Sequence, residues 1–134
     1  MKKRFRFLTV LVLLLLLTGC GSAEKPGNSY RQVSTEEAAA LMAEETDYII
    51  LDVRTLEEYA QAHIPGAICI PNETIGTGEL PELPDKDQLI LVYCRSGNRS
   101  KQASEKLVQL GYTNVVEFGG INSWTGETVS SSMG

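Results

Sequence analysis

Histidine occurs once in the 134 residues, at His63, tryptophan once, at Trp124, and cysteine three times, at Cys20, Cys69 and Cys94. A lone histidine without suitably grouped partners argues against a zinc site, which needs several ligands, so neither a metal nor a resident cofactor is expected. Three cysteines form no disulfide framework, although an extracytoplasmic location would permit Cys69 to pair with Cys94. Cys69 lies in the apolar stretch "GAICIP" and reads as a small buried hydrophobe. The length excludes two domains with real cores but accommodates one.

No apolar run is long enough for a permanent transmembrane anchor, which needs roughly 20 residues. The candidate, "FLTVLVLLLLL", is shorter; it follows Lys2, Lys3, Arg4 and Arg6 and ends at "TGC". A basic segment, a short apolar segment and small residues make a secretory signal. Leu17-Thr18-Gly19-Cys20 resembles the bacterial lipobox, in which the Cys is acylated and becomes the first mature residue. The alternative is an ordinary signal cleaved near Gly19 or Ala23, with Cys20 incidental. The lipobox reading divides the chain into a signal peptide (1–19), a lipidated Cys20 with a polar Gly- and Pro-containing linker (20–30), a folded domain (31–126) and a C-terminal tail (127–134). It places the domain outside the cytoplasm, tethered to a bacterial membrane by acyl chains, two or more of which anchor stably where one does not.

Basic charge is scarce beyond this leader. Without its four cations, eight Lys and Arg face 17 Asp and Glu, a formal charge of −9. A surface this acidic is not one that binds nucleic acid.

What is present is an alternation of strand and helix patterns. "YRQVS" reads as a short strand, and Ser34 with Glu37 forms a capping box for a helix with apolar Ala38, Leu41 and Met42. "YIILDV" (48–53) and "QLILVY" (88–93) are near-continuous apolar runs of the kind covered on both faces. Thr55 with Glu58 caps a brief helix, "AICIP" gives another short strand, and residues 72–88 are mostly loop with one helical turn. Ala103, Leu107 and Leu110 recur at helical spacing before a C-capping Gly111, and "NVVEF" is the last strand. Such alternation predicts one α/β domain with a mainly parallel sheet between helices, and in these sheets ligands bind beyond the carboxyl ends of the strands.

Two segments lie at such ends, Asp52-Val53-Arg54 and the loop "CRSGNR" that begins at Cys94. Gly97 permits a wrapped backbone whose N–H groups converge into an anion nest. A thiol at that centre sees donors, a helix start and arginines, so Cys94 is expected as a thiolate near neutral pH, needing no general base. Arg95, Arg99 and Lys101 crowd the start of the following helix, where a cation opposes the macrodipole by about 0.3–1 kcal/mol. Stability alone would favour acids there, so the cations point to an anionic ligand.

These motifs together, "DVR" (52–54) with "EEY" (57–59), "HIPGA" (63–67), "CRSGNRS" (94–100) and "GGINSW" (119–124), resemble a single rhodanese domain over residues 31–126. The resemblance implies a three-layer α/β/α sandwich with a five-stranded, essentially parallel sheet. It implies sulfur transfer: Cys94 takes the outer sulfur of a small anionic donor such as thiosulfate as a persulfide and hands it to cyanide or a thiol. The backbone of Arg95, Ser96, Gly97, Asn98 and Arg99 would cradle the substrate, with the Arg95 and Arg99 side chains facing the anion. Asp52 and Arg54 would fix the loop at a neighbouring strand end, His63 would belong to a turn, Gly119 and Gly120 would let backbone pass near the site, and Trp124 would pack.

A monomer is expected, with a redox protein as a partner that protects the thiolate from oxidation. The rivals are a phosphatase or arsenate reductase, whose loops place five residues between Cys and Arg, and a non-catalytic persulfide carrier or sensor. Here four residues separate Cys94 from Arg99, a smaller ring that suits a sulfur atom better than a tetrahedral phosphate.

Overall fold

The computed structural model describes residues 29–76 and 78–131; the signal peptide and Cys20 lie outside them. Five strands form one parallel sheet: β1 (Arg31–Gln32), β2 (Tyr48–Asp52), β3 (Ile68–Cys69), β4 (Leu89–Cys94) and β5 (Val115–Gly120), in the spatial order β1-β5-β4-β2-β3. The helices are α1 (Thr35–Glu44), α2 (Leu56–Gln61) and α3 (Asn98–Gln109).

The alternation of side chains along β4 creates the layers. Ile90, Val92 and Cys94 pack with Ala103 and Leu107 of α3, whereas Leu91 and Tyr93 pack with Ala38 of α1 and Ile64 beyond α2. The sheet is therefore covered on both faces, in an α/β/α sandwich. This explains why the central strands carry no polar stripe: Leu91, Val92 and Tyr93 are fully buried. On α3 the buried positions are Ser100, Ala103, Ser104 and Leu107, the spacing of one helical face. The helix ends in a Schellman motif, with N–H bonds from Gly111 to Val108 and from Tyr112 to Leu107.

Helix starts follow the caps. Thr55 and Glu58 form both halves of a capping box at α2, and the Ser34 hydroxyl accepts from the Glu37 N–H at α1. In the 72–88 segment the helical turn is a 3-10 turn at Asn72–Thr74.

Element boundaries shift by a residue or two from expectation: β4 runs on to Cys94 and β5 to Gly120. β2 is one residue shorter, ending at Asp52, although the Val53 N–H still donates to the Tyr93 carbonyl at 3.1 Å; the Asp52 carboxylate accepts the Arg54 N–H just beyond it. The segment read as a tail from residue 127 is attached to the domain: Val129 and His63 exchange backbone hydrogen bonds of 2.8 and 2.9 Å, and the Ser131 N–H reaches the Ala60 carbonyl.

Candidate active site

Cys94 ends β4 at the centre of the sheet with its side chain on the α3 face, and it is 1% exposed. The chain then wraps around the sulfur. Gly97 takes φ +116°, a conformation that favours glycine, and its N–H donates to Cys94 Sγ at 3.0 Å. Gly97 also caps α3, so the helix opens at Asn98, a residue earlier than the arginine spacing suggests.

β5 shapes the floor beneath the loop. Val92 pairs with Glu117 but Cys94 with Gly120, so β5 carries one extra residue there, a bulge at the site. Gly120 passes so close to the loop that a Cβ on it would lie 2.0 Å from the Arg95 carbonyl oxygen, and the Asn122 N–H donates to that carbonyl at 3.1 Å. The role expected for the glycine pair is thus met at Gly120.

The sequence-predicted site residues divide. Arg95, Ser96 and Asn98 are exposed. Arg95 lines a cleft of about 250 Å³ together with Arg54, Glu58, Gln61 and Asn122, and Ser96 lines another depression with Gly119, Gly120 and Ser123. Arg99 does not face an open anion site. Its Nη1 and Nη2 bind the two carboxylate oxygens of Glu58 at 2.7 and 3.0 Å, because α2 presents its capping-box glutamate to the first turn of α3. The guanidinium holds the Glu58 carboxyl well below the usual range, at about 2.

Asp52 and Arg54 form a buried ion pair of 2.6 Å. Arg54 Nη2 also donates to the Ala62 carbonyl at 2.6 Å, and the guanidinium lies 5.7 Å from the centre of the Tyr93 ring. The pair therefore ties the end of β2 to the end of α2 and lies against Tyr93, the residue before Cys94, while Arg54 lines one wall of the Arg95 cleft.

His63 stacks on Tyr59 at 3.8 Å between ring centres, with Nδ1 2.8 Å from the Tyr59 carbonyl oxygen. Trp124 packs against Phe118 and donates from Nε1 to the Glu127 carbonyl. Both are structural placements.

Cys69 and Cys94 are both free thiols, and the topology keeps them apart. Asp52 on β2 pairs with Cys69 on one side and with Tyr93 on the other. Two strand spacings, roughly 9.5 Å, therefore intervene, whereas a disulfide needs Cα atoms within about 7 Å. Burial, then the Asp52 charge, pushes the Cys69 thiol up to about 12, which disfavours its thiolate form.

Sequence reasoning missed two polar residues beneath the sulfur. Ser100 is fully buried, with Oγ 3.4 Å from Cys94 Sγ. Its hydroxyl donates to Glu117 Oε1 at 2.6 Å, and Glu117 is itself 2% exposed. The available signals were a glutamate inside the apolar strand "NVVEF" and a serine on the buried stripe of α3.

Residues 34–127 match the model of the rhodanese-like domain. The chain belongs to that family, and its enzyme class is that of the rhodanese-type sulfurtransferases. It is 42% identical over 71 residues to the thiosulfate sulfurtransferase PspE of Escherichia coli, spanning 53% of this chain and 68% of that protein. It is 38% identical over 94 residues to a sulfurtransferase of Allochromatium vinosum, spanning 69% and 86%. Among solved structures, a rhodanese with anions from E. coli superposes with a TM-score of 0.58 at 37% identity, covering 63% of this chain and 99% of that one. A rhodanese-like domain protein from Staphylococcus aureus gives 0.64 at 31% identity, covering 76% and 99%.

Proposed function

We propose that Cys94 carries sulfane sulfur from a small anionic donor, thiosulfate in the first instance, to cyanide or a low-molecular-weight thiol. The observation that carries this reading is the small loop closed on the sulfur, with the Gly97 N–H directed at Sγ from 3.0 Å. In the first half-reaction the Cys94 sulfur anion attacks the outer sulfur of thiosulfate. The S–S bond of the donor breaks, sulfite leaves with the electron pair, and Cys94 becomes a persulfide. In the second, the acceptor attacks the outer sulfur of the persulfide and the Cys94 anion is restored. Both steps need a nucleophile held in place and a site for anionic charge.

The exposed Arg95 at its cleft supplies a cation for the approaching sulfonate, and the solved E. coli relative obtained with anions is consistent with that use. Arg99, paired with Glu58, is a structural cation in this scheme. That pairing also disfavours a phosphatase, in which an arginine must reach the transferred phosphoryl group. By the same proposal Cys20 is acylated and the domain works on the outer face of a bacterial membrane, a reading supported by the leader sequence. The test is the full chain in mild detergent, given thiosulfate and cyanide. Thiocyanate is expected from the wild type and none from Cys94→Ser; equal release by both, or hydrolysis of an aryl phosphate in its place, overturns the assignment.

A further inference from the structure

The Cys94 thiol is almost sealed from water, and the lone histidine is packed against Tyr59. A buried thiol that must become an anion needs somewhere to send its proton. Ser100 and Glu117 supply an unused polar path on its inner side.

The Ser100 hydroxyl has one hydrogen and three oxygen neighbours that can accept it: Glu117 Oε1 at 2.6 Å, the Gly97 carbonyl at 2.9 Å and the Gly119 carbonyl at 3.2 Å. The short contact to the carboxylate is the charge-assisted one and takes the hydrogen. An oxygen lone pair of Ser100 is then left for the fourth neighbour, Cys94 Sγ at 3.4 Å, whose S–H is the donor. Glu117 is held in register by the Gly119 N–H on Oε1 at 2.7 Å and the Gln32 amide on Oε2 at 3.3 Å. Thiol, hydroxyl and carboxylate thus form one directed chain.

We infer that Glu117, acting through the Ser100 hydroxyl, is the proton acceptor that converts Cys94 to its reactive anion. The Cys94 S–H bond breaks as an O–H bond forms at Ser100, and the hydrogen that Ser100 held passes to Glu117 Oε1. The negative charge moves from the carboxylate to the sulfur, and each contact keeps its hydrogen bond with the direction reversed. Ser100 then donates to the sulfur anion, as the Gly97 N–H does.

The groups facing this chain come from each packed element. From the β1 side they are the Gln32 amide and the Tyr30 phenol, which burial and then the charges of Glu105 and Glu117 push up. From α3 they are Ser100 and Arg99, the latter interacting electrostatically with Cys94. From β5 it is the Gly119 N–H.

The proposal rests on Cys94 being the working thiol, but its test does not require sulfur transfer. The full chain in mild detergent is alkylated with iodoacetamide between about pH 6 and about pH 10, the rate being read at the Cys94 peptide by mass. Glu117→Gln and Ser100→Ala are each expected to slow alkylation roughly ten- to a hundredfold at about pH 7, and to converge on the wild type at about pH 10, where hydroxide removes the proton. Combining them adds little, and Ser100→Thr restores the neutral rate. A Ser100→Ala profile identical to the wild type, or one slowed equally at every pH, overturns the relay, and the same reading applies to Glu117→Gln if it folds. Wild-type chain that alkylates as expected yet forms no thiocyanate would contradict the sulfur-transfer proposal and leave the relay standing.

Discussion

Arg99 and Glu58 are locked in a two-pronged ion pair, 2.7 and 3.0 Å, that joins the first turn of α3 to α2. The pairing settles an electrostatic conflict. A cation at a helix start is unfavourable by itself, and the glutamate neutralises it.

Glu58→Gln is expected to lower stability by about 0.5–1 kcal/mol at pH 7, the upper part of the range for half-exposed pairs. The pH dependence follows from the depressed carboxyl. A group held at about 2 in the folded chain, against about 4.3 when unfolded, stabilises the fold fully above the unfolded value and loses that contribution as pH falls towards the folded value. Urea melts should therefore show the wild type's advantage over Glu58→Gln at pH 7 and its disappearance in the approach to about pH 2. An advantage that grows on acidification contradicts the pairing.

The Asp52–Arg54 pair gives a larger effect because it is buried, with side chains 0% and 6% exposed. Asp52→Ala leaves a guanidinium without its carboxylate beneath the Arg95 cleft, and a loss of about 3–5 kcal/mol is expected. Removing both charges in Asp52→Ala/Arg54→Met should recover much of that loss in the same denaturation measurement. Additive losses would show that the two side chains act independently.

At Gly120 the constraint is spatial. A methyl group there meets the Arg95 carbonyl, so Gly120→Ala must push the cysteine loop away from β5. Sulfur transfer should fall more steeply than stability, which overpacking lowers by about 1–3 kcal/mol. Thiocyanate release and melting temperature, measured on the same preparation, separate the two. Unchanged turnover would mean that the loop does not rest on this glycine.

The sheet was legible because its central strands are unbroken apolar runs and its helices begin at capping residues: Thr55 with Glu58 specifies a helix start by local chemistry alone. The position of Cys94 at a strand end, followed by Gly97, was readable for the same reason. Contacts between elements distant in the chain were not. Glu58 satisfies its capping role in the sequence pattern, and nothing in that pattern announces that its carboxylate also meets Arg99, 41 residues away. Glu117 reads as one more residue of a strand until the register of β4 and β5 places it under Ser100. The Cys69–Cys94 pairing, open in the sequence, is closed by a strand order that inserts β2 between them.

The sulfur-transfer proposal requires that one sulfur atom ride on Cys94. The full chain, treated with thiosulfate and freed of excess reagent, should gain the mass of a single sulfur, located on the Cys94 peptide and discharged by cyanide. Cys94→Ser should gain nothing under the same treatment. No added sulfur on the wild type, or the same adduct on Cys94→Ser, would contradict the account.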